Sequence, residues 1–191
     1  ANKKTFNVGF HGGGEPSLAW KELKGCVEYA KKRAAEEGME VNISLATNGA
    51  IAEKKLNWIM DNIDGVNLSL DGPEDIQNYQ RPMSDGRESF GKVMQTIRRM
   101  NEKEFSYGIR VTITKNSVNC MDDIVKFFQN TCKAKVVHFE PTFNCGRCLY
   151  SGIETPDAED FILVKCKTRN GADFFCQADL VTPAFSQFVE I

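Results

Sequence analysis

Five short segments in which every second residue is apolar, separated by stripes of helical spacing, constrain the fold of this chain more than any other feature. The segments are residues 5–10, 41–46, 66–70, 107–114 and 136–140. Between the first two, Trp20, Leu23, Val27, Ala30 and Ala34 recur at helical spacing and stop at Gly38, a good C-terminal cap. Leu56, Ile59, Met60 and Ile63 form a second stripe, and Phe90, Val93, Met94, Ile97 and Met100 a third. Met121, Ile124, Val125 and Phe128 form a fourth, with Asn119 and Asp122 as its start signal. Strands alternating with helices predict right-handed βαβ units and a parallel sheet.

The residues between the apolar ones narrow the choice of sheet. Phe6, Val8 and Phe10 alternate with Asn7, Gly9 and His11, and Val41, Ile43 and Leu45 with Asn42, Ser44 and Ala46. Val66, Leu68 and Leu70 alternate with Asn67, Ser69 and Asp71, and Ile109, Val111 and Ile113 with Gly108, Arg110, Thr112 and Thr114. Strands of a doubly wound sheet are buried on both faces and read as continuous apolar runs. Here one face packs on helices and the other is polar in every strand. Two architectures satisfy this: a curved, incompletely closed barrel whose inner wall holds a polar ligand, or a sheet with helices on one side and water on the other. Polar residues at the C-terminal strand ends, where α/β proteins place their sites, favour the first.

At 191 residues the chain fits one domain with a real core, and 41% hydrophobic and 26% charged residues describe a globular protein. A formal charge of −2 gives no electrostatic footprint for nucleic acid. No apolar stretch approaches the ~20 residues that span a bilayer, and no signal peptide is visible. Seven scattered cysteines suit free or metal-binding thiols of a cytoplasmic protein better than a disulfide scaffold. The chain starts at Ala1 without an initiator Met, and its first strand-like segment follows almost at once, as in a piece of something longer.

The loop His11-Gly12-Gly13-Gly14-Glu15-Pro16 follows the first segment. Three glycines let backbone approach a ligand closely, since no Cβ intervenes. Glu15 would repel a phosphate and suits an ammonium or sulfonium ligand. Pro16 fixes φ where a helix should begin, and Ser17 is placed to satisfy N–H groups of its first turn. Further along come Thr47-Asn48-Gly49, then Ser69-Leu70-Asp71-Gly72-Pro73, then Arg110-Val111-Thr112, each at the end of a strand-like segment. In this order and spacing they resemble the radical S-adenosylmethionine (SAM) superfamily. Residues 69–81, Gly86 and the stripe from Phe90 to Met100 are similar to its SPASM-type branch, which includes the anaerobic sulfatase-maturating enzymes and peptide maturases. The resemblance covers residues 7–141.

The resemblance implies a fold class of α/β: a partial (β/α)6 radical SAM barrel lacking its first strand and cluster loop, over residues 1–143. It implies that Gly13, Gly14, Glu15 and Pro16 receive the amino group of the SAM methionine through backbone and carboxylate. Ser69 and Asp71 become ribose contacts, Arg110 the partner of the SAM carboxylate, and Thr47 and Asn48 wall residues beside the ligand. On the residues alone, Thr47-Asn48-Gly49 and Asp71-Gly72-Pro73 also make adequate turns, and Arg110 also suits a structural salt bridge. In such enzymes a reduced 4Fe-4S cluster passes an electron to SAM, and the resulting 5′-deoxyadenosyl radical takes hydrogen from substrate. The implied partners are a peptide or protein substrate and an electron donor.

The departure from the family is the cluster loop. Its CxxxCxxC signature, whose three thiolates hold the 4Fe-4S cluster, occurs nowhere in the 191 residues. The first strand-like segment here corresponds to the family's second, so the expectation is a loop encoded ahead of Ala1, with this chain alone inactive. An unpaired first strand edge would agree with that. Residues 144–191 are expected to form an incomplete appended element, with residues 161–166 and 172–176 as a hairpin. Within it Cys145 and Cys148 form a CxxC turn that Cys166 and Cys176 could complete as a metal site, and the resemblance implies an auxiliary iron–sulfur cluster there; inert thiols satisfy the residues equally. Cys26 and Cys132 read as packing residues, Trp20 and Trp58 as core, and His11 and His138 as lumen-facing. Two other readings remain. One is a non-catalytic barrel that binds a nucleotide or peptide beside a CxxC site. The other is an ordinary barrel enzyme using Glu15, Asp71 and Arg110 in acid–base chemistry.

Overall fold

A computed structural model describes residues 4–12, 14–143, 152–157, 159 and 161, and the backbone of 173–176. Six strands form one sheet: β1 (Thr5–Phe10), β2 (Glu40–Thr47), β3 (Gly65–Ser69), β4 (Tyr107–Ile113), β5 (Val136–Pro141) and β6 (Asp173–Cys176). Every neighbouring pair is parallel, and the order is β1-β2-β3-β4-β5-β6. An order that never reverses has no topological switch point, so successive crossovers of one hand fall on one face of the sheet. That is the arrangement of a strand–helix barrel wall. β6 lies within residues 144–191 and joins β5 in parallel, so the sheet continues past residue 143. Of the expected hairpin, residues 162–166 lie outside the described residues.

The helices are α1 (Trp20–Glu36), α2 (Glu53–Asn62), α3 (Glu74–Gln80), α4 (Phe90–Glu102) and α5 (Met121–Thr131). Their stripes bury against one face of the sheet. Ile43, Leu45, Val66, Leu68, Ile109, Val111, Ile113, Val137 and Phe139 from the strands meet Val27, Ile59, Val93, Ile97, Ile124 and Phe128 from the helices in one core. On the other face Ser44, Asn67, Ser69, Thr112, His138 and Glu140 are half-buried and Arg110 is exposed. The period-two reading of the strands therefore holds from β2 to β5, whereas in β1 Phe6 is exposed and Val8 and Phe10 are only half-buried. Trp20 and Trp58 lie at the rim of the core rather than inside it, edge to face with ring centroids 5.1 Å apart. Lys24 covers the ring of Trp58 and Lys55 that of Trp20.

Local signals fail in two places. Asn119 falls in a 3-10 turn, Val118–Cys120, and does not cap α5; the residue before that helix is Cys120, with no side-chain cap bond. Cys26, expected to pack, is exposed on α1. The ends of α1 and α4 show the same closing device built on different residues. At α1 the Met39 N–H donates to the Ala34 carbonyl and the Gly38 N–H to Ala35, with Gly38 at φ 65°. At α4 Phe105 donates to Met100 and Glu104 to Asn101, with Glu104 at φ 51°. Both are Schellman closures, but only the first has the glycine that this conformation favours.

Two predictions follow from these surroundings. Glu104→Gly should stabilise the fold by about 0.5–1 kcal/mol in urea unfolding, because a non-glycine residue in the left-handed region carries a steric cost. The second concerns alkali. Burial pushes the Cys132 thiol up to about 12 from an ordinary value of 9.0, and burial followed by proximity to Cys132 pushes the Tyr107 hydroxyl up as well. The folded state thus holds both protons more tightly than the unfolded chain. The contribution of these two groups should be fully present below about pH 8 and be lost as pH rises toward 12, by at most about 1.4 kcal/mol per pH unit per group. Urea midpoints at pH 8 and pH 10 that coincide would contradict this.

Candidate ligand site at the strand ends

The loop after β1 is built around a carboxylate. Gly12 sits at φ 79° and Gly14 at φ 155°, with the Gly14 N–H on the Gly12 carbonyl at 2.6 Å. A Cβ at either glycine would meet no atom within 4 Å, so the loop backbone faces open space. Gly13 lies outside the described residues. Glu15 Oε1 accepts from the Ser17 N–H at 3.0 Å and the Thr47 hydroxyl at 2.8 Å, and Oε2 accepts from the Asn48 N–H at 2.7 Å. The carboxylate therefore clasps the loop to the end of β2. Pro16 and Ser17 lie in a turn, and α1 starts later, at Trp20, with Ala19 before it and no side-chain cap. Ser17 serves otherwise than as a cap: its carbonyl accepts the Lys55 ammonium at 2.6 Å.

Thr47 is buried and Asn48 exposed. The Thr47 oxygen also accepts the Gly49 N–H, and the Asn48 side chain accepts the Ala50 N–H at 2.9 Å. The segment is thus a turn, and one tied to Glu15. On the adjoining strands Ser69 and Arg110 are register partners on the polar face, and Arg110 pairs in turn with His138 of β5. Arg110 donates through Nη2 to Glu140 Oε2 at 2.6 Å, so it does make a salt bridge, one with a half-exposed side chain. His11 is exposed at the end of β1.

Asp71 departs from the alternation. β3 ends at Ser69, so the period of two stops there, and Asp71 turns under α3 with 1% of its surface exposed. Its Oδ2 accepts from Arg81 Nε at 2.7 Å and Gln80 Nε2 at 2.9 Å, and its Oδ1 from the Thr112 N–H at 2.8 Å. Its own N–H donates to Gln77 Oε1. Arg81 also reaches the Thr112 hydroxyl through Nη2 at 2.7 Å. A carboxylate so enclosed is not the lumen-facing group expected from alternation, and it has no access for acid–base work with Glu15 and Arg110. Gln77, Gln80 and Arg81 were missed by pattern reading, because a seven-residue helix leaves too short an apolar stripe to see. Their one signal was three hydrogen-bonding side chains at helical spacing just after Gly72-Pro73.

Cys145, Cys148 and Cys166 lie outside the described residues, and of Cys176 only the backbone is described. Among the described residues no three His, Cys, Asp or Glu side chains gather into a metal site, and no helix is long and apolar enough to cross a membrane. Replacing Arg81 by Ala would leave the Asp71 carboxylate buried without its cation. Thermal or urea unfolding should show a loss of about 3 kcal/mol, and a loss below about 1 kcal/mol would mean that the pair does not hold the strand ends.

Comparison with known proteins gives the same answer by another route. Residues 2–128 match the radical SAM superfamily. The cysteine-type anaerobic sulfatase-maturating enzyme of Clostridium perfringens is 27% identical over 139 residues, 72% of this chain and 36% of that protein. The enzyme of the same description from Clostridium novyi is 31% identical over 119 residues, 61% of this chain and 32% of its own length. The chain thus spans about a third of the length of these curated relatives. In fold, the solved structure of native anSMEcpe with bound AdoMet and Kp18Cys peptide superposes with a TM-score of 0.71 at 23% identity, covering 84% of this chain and 44% of that one. With two thirds of its length matched, and with an all-parallel sheet in sequential order, this chain belongs to the radical SAM superfamily.

Proposed function

We propose that this chain is the SAM-binding part of a radical SAM enzyme that modifies a side chain of a peptide or protein. The observation that carries the reading is the one-sided polarity of the sheet. A wall that presents Ser69 and Arg110 in register, beside a glycine loop open to its surroundings, suits a ligand with both a carboxylate and an ammonium group. Main-chain carbonyls of Gly13, Gly14 and Pro16 would receive the ammonium. Glu15, Thr47 and Asn48 hold that loop in place through the carboxylate clasp, and the Glu15 charge favours a cation beside it. Arg110 would pair with the SAM carboxylate in the charge-assisted fork that guanidinium groups form with carboxylates. Ser69 would meet the ribose. Asp71 acts at one remove, by fixing Arg81 and the Thr112 backbone at the same strand ends.

SAM, when bound, supplies the 5′-deoxyadenosyl group that takes hydrogen from substrate. The protein's share is to bind it, orient it and exclude water. The 4Fe-4S cluster of the superfamily does not fit these residues, since the 191-residue sequence has no CxxxCxxC run. No cluster ligand and no electron-transfer step is assigned to them, and this chain by itself is expected to be inactive. A peptide substrate is supported by the relatives, which are sulfatase-maturating enzymes, and by the anSMEcpe structure solved with a peptide. An electron donor completes the set of partners, with the cytoplasm as the place of action.

Calorimetric titration of the chain with SAM tests the reading. Arg110→Ala should weaken SAM binding about tenfold or more while leaving the melting temperature unchanged, since the side chain is half exposed. Glu15→Gln should weaken it less and lower the melting temperature, because Gln places a donor against one of the N–H groups of the clasp. An Arg110→Ala chain that binds SAM as tightly as the unmodified one would favour the alternative, a barrel that binds a nucleotide or peptide without SAM chemistry.

A further inference from the structure

Arg110 does not face the polar wall alone. The β4–β5 register sets Arg110 beside His138 and Thr112 beside Glu140, so the guanidinium reaches along and across to β5, away from Ser69 on β3, to make its 2.6 Å bond with Glu140. The two side chains are 50% and 31% exposed. An ion pair this open to solvent contributes little to folding. It does, however, reduce the positive charge of the group assigned to a ligand carboxylate. The other guanidinium at these strand ends, Arg81, is matched by the enclosed Asp71 and held by Thr112. Glu140 is therefore the half-exposed carboxylate with which an incoming carboxylate must contend.

We propose that Glu140 is an internal competitor: it holds Arg110 in the absence of ligand and sets the affinity of the site for carboxylate-bearing ligands. The inference rests on the reading of Arg110 as the partner of the SAM carboxylate. An arginine fork has five N–H donors, so a ligand carboxylate can take the guanidinium over or share it. In either case the Glu140 charge at the same contact opposes the approach. Replacement by Gln separates the two parts of this role, because the Gln oxygen still accepts the hydrogen bond while the negative charge is gone.

The test is calorimetric titration of the chain and its variants with two probes, SAM and decarboxylated SAM, at low and high salt. Glu140→Gln should bind SAM about fivefold tighter than the unmodified chain, with the gain shrinking at high salt. It should bind decarboxylated SAM unchanged. The gain should vanish when Arg110→Ala is added. If Glu140→Gln leaves SAM affinity unchanged or lowers it while Arg110→Ala still loses it, Glu140 is not a competitor and the SAM reading stands. An equal gain for both probes likewise overturns competition, since it would reflect only the general field. If Arg110→Ala is without effect, or the unmodified chain does not bind SAM, the reading beneath the inference falls with it. Should Glu140→Gln fail to fold, Glu140→Asp draws the charge back by one methylene and should give a smaller gain of the same sign.

Discussion

The strand ends depend on a buried negative charge. Asp71 is almost wholly enclosed, and a carboxylate in that position is tolerable only if its oxygens are met by strong donors. Meeting that demand brings Arg81 and Gln80 down from α3, and the Thr112 N–H across from β4. The position of α3, the spacing of β3 and β4 and the direction of the Arg81 fork are thus linked through one side chain. Glu15 does the same at the other side of the sheet, where its oxygens join the β1 loop to β2. Both acids of the strand-end motifs act as joints between neighbouring strands. Ser69 and Arg110, register partners on β3 and β4, stay on the polar face of the sheet.

Much of the fold was legible because the pattern that reports it is long. Alternation over β2 to β5 repeats one message, and the five strand segments matched the structure to within one residue at either end. The helical stripes of α1, α2, α4 and α5 were equally plain. Short or compensated features were not. α3 has seven residues, and its buried member is a polar Gln77 bonded to Asp71 and Ser89, so no apolar period marks it. Alternation also misplaced Asp71 and Thr114, both buried, because the period of two ends with the strand and not with the motif. Ser17 and Asn119 looked like caps by residue type, yet capping needs the backbone to turn into the helix at that residue, and α1 and α5 start later, at Trp20 and Met121. The strand-end motifs could be picked out in sequence, but that Glu15 and Asp71 join neighbouring strands could be read only from the hydrogen bonds.

The glycine at C′ of α1 and the glutamate at C′ of α4 show how far local chemistry is decided by context. Both positions need a left-handed residue, and the sequence marks only the first with the amino acid that favours it. At α4 the Schellman bonds from Phe105 and Glu104 hold the closure despite the side chain. Phe105 is partly buried against the core, and this packing offsets the steric cost of the turn before it. A local preference was overruled by burial one residue away.

Two ion pairs at the same strand ends, close in sequence register, differ in one physical respect that separates their uses. In Asp71–Arg81 the carboxylate is 1% exposed and the guanidinium 34%, whereas in Arg110–Glu140 the figures are 50% for the guanidinium and 31% for the carboxylate. A buried charge that loses its partner has no water to turn to, so the first pair cannot open without large cost. Charges that already touch water exchange partners cheaply, since solvent replaces part of what is lost. The first pair therefore fixes geometry, and the second leaves a cation on the wall whose partner can change. A site that must bind and release an anionic group needs both kinds, one to hold the wall still and one to yield.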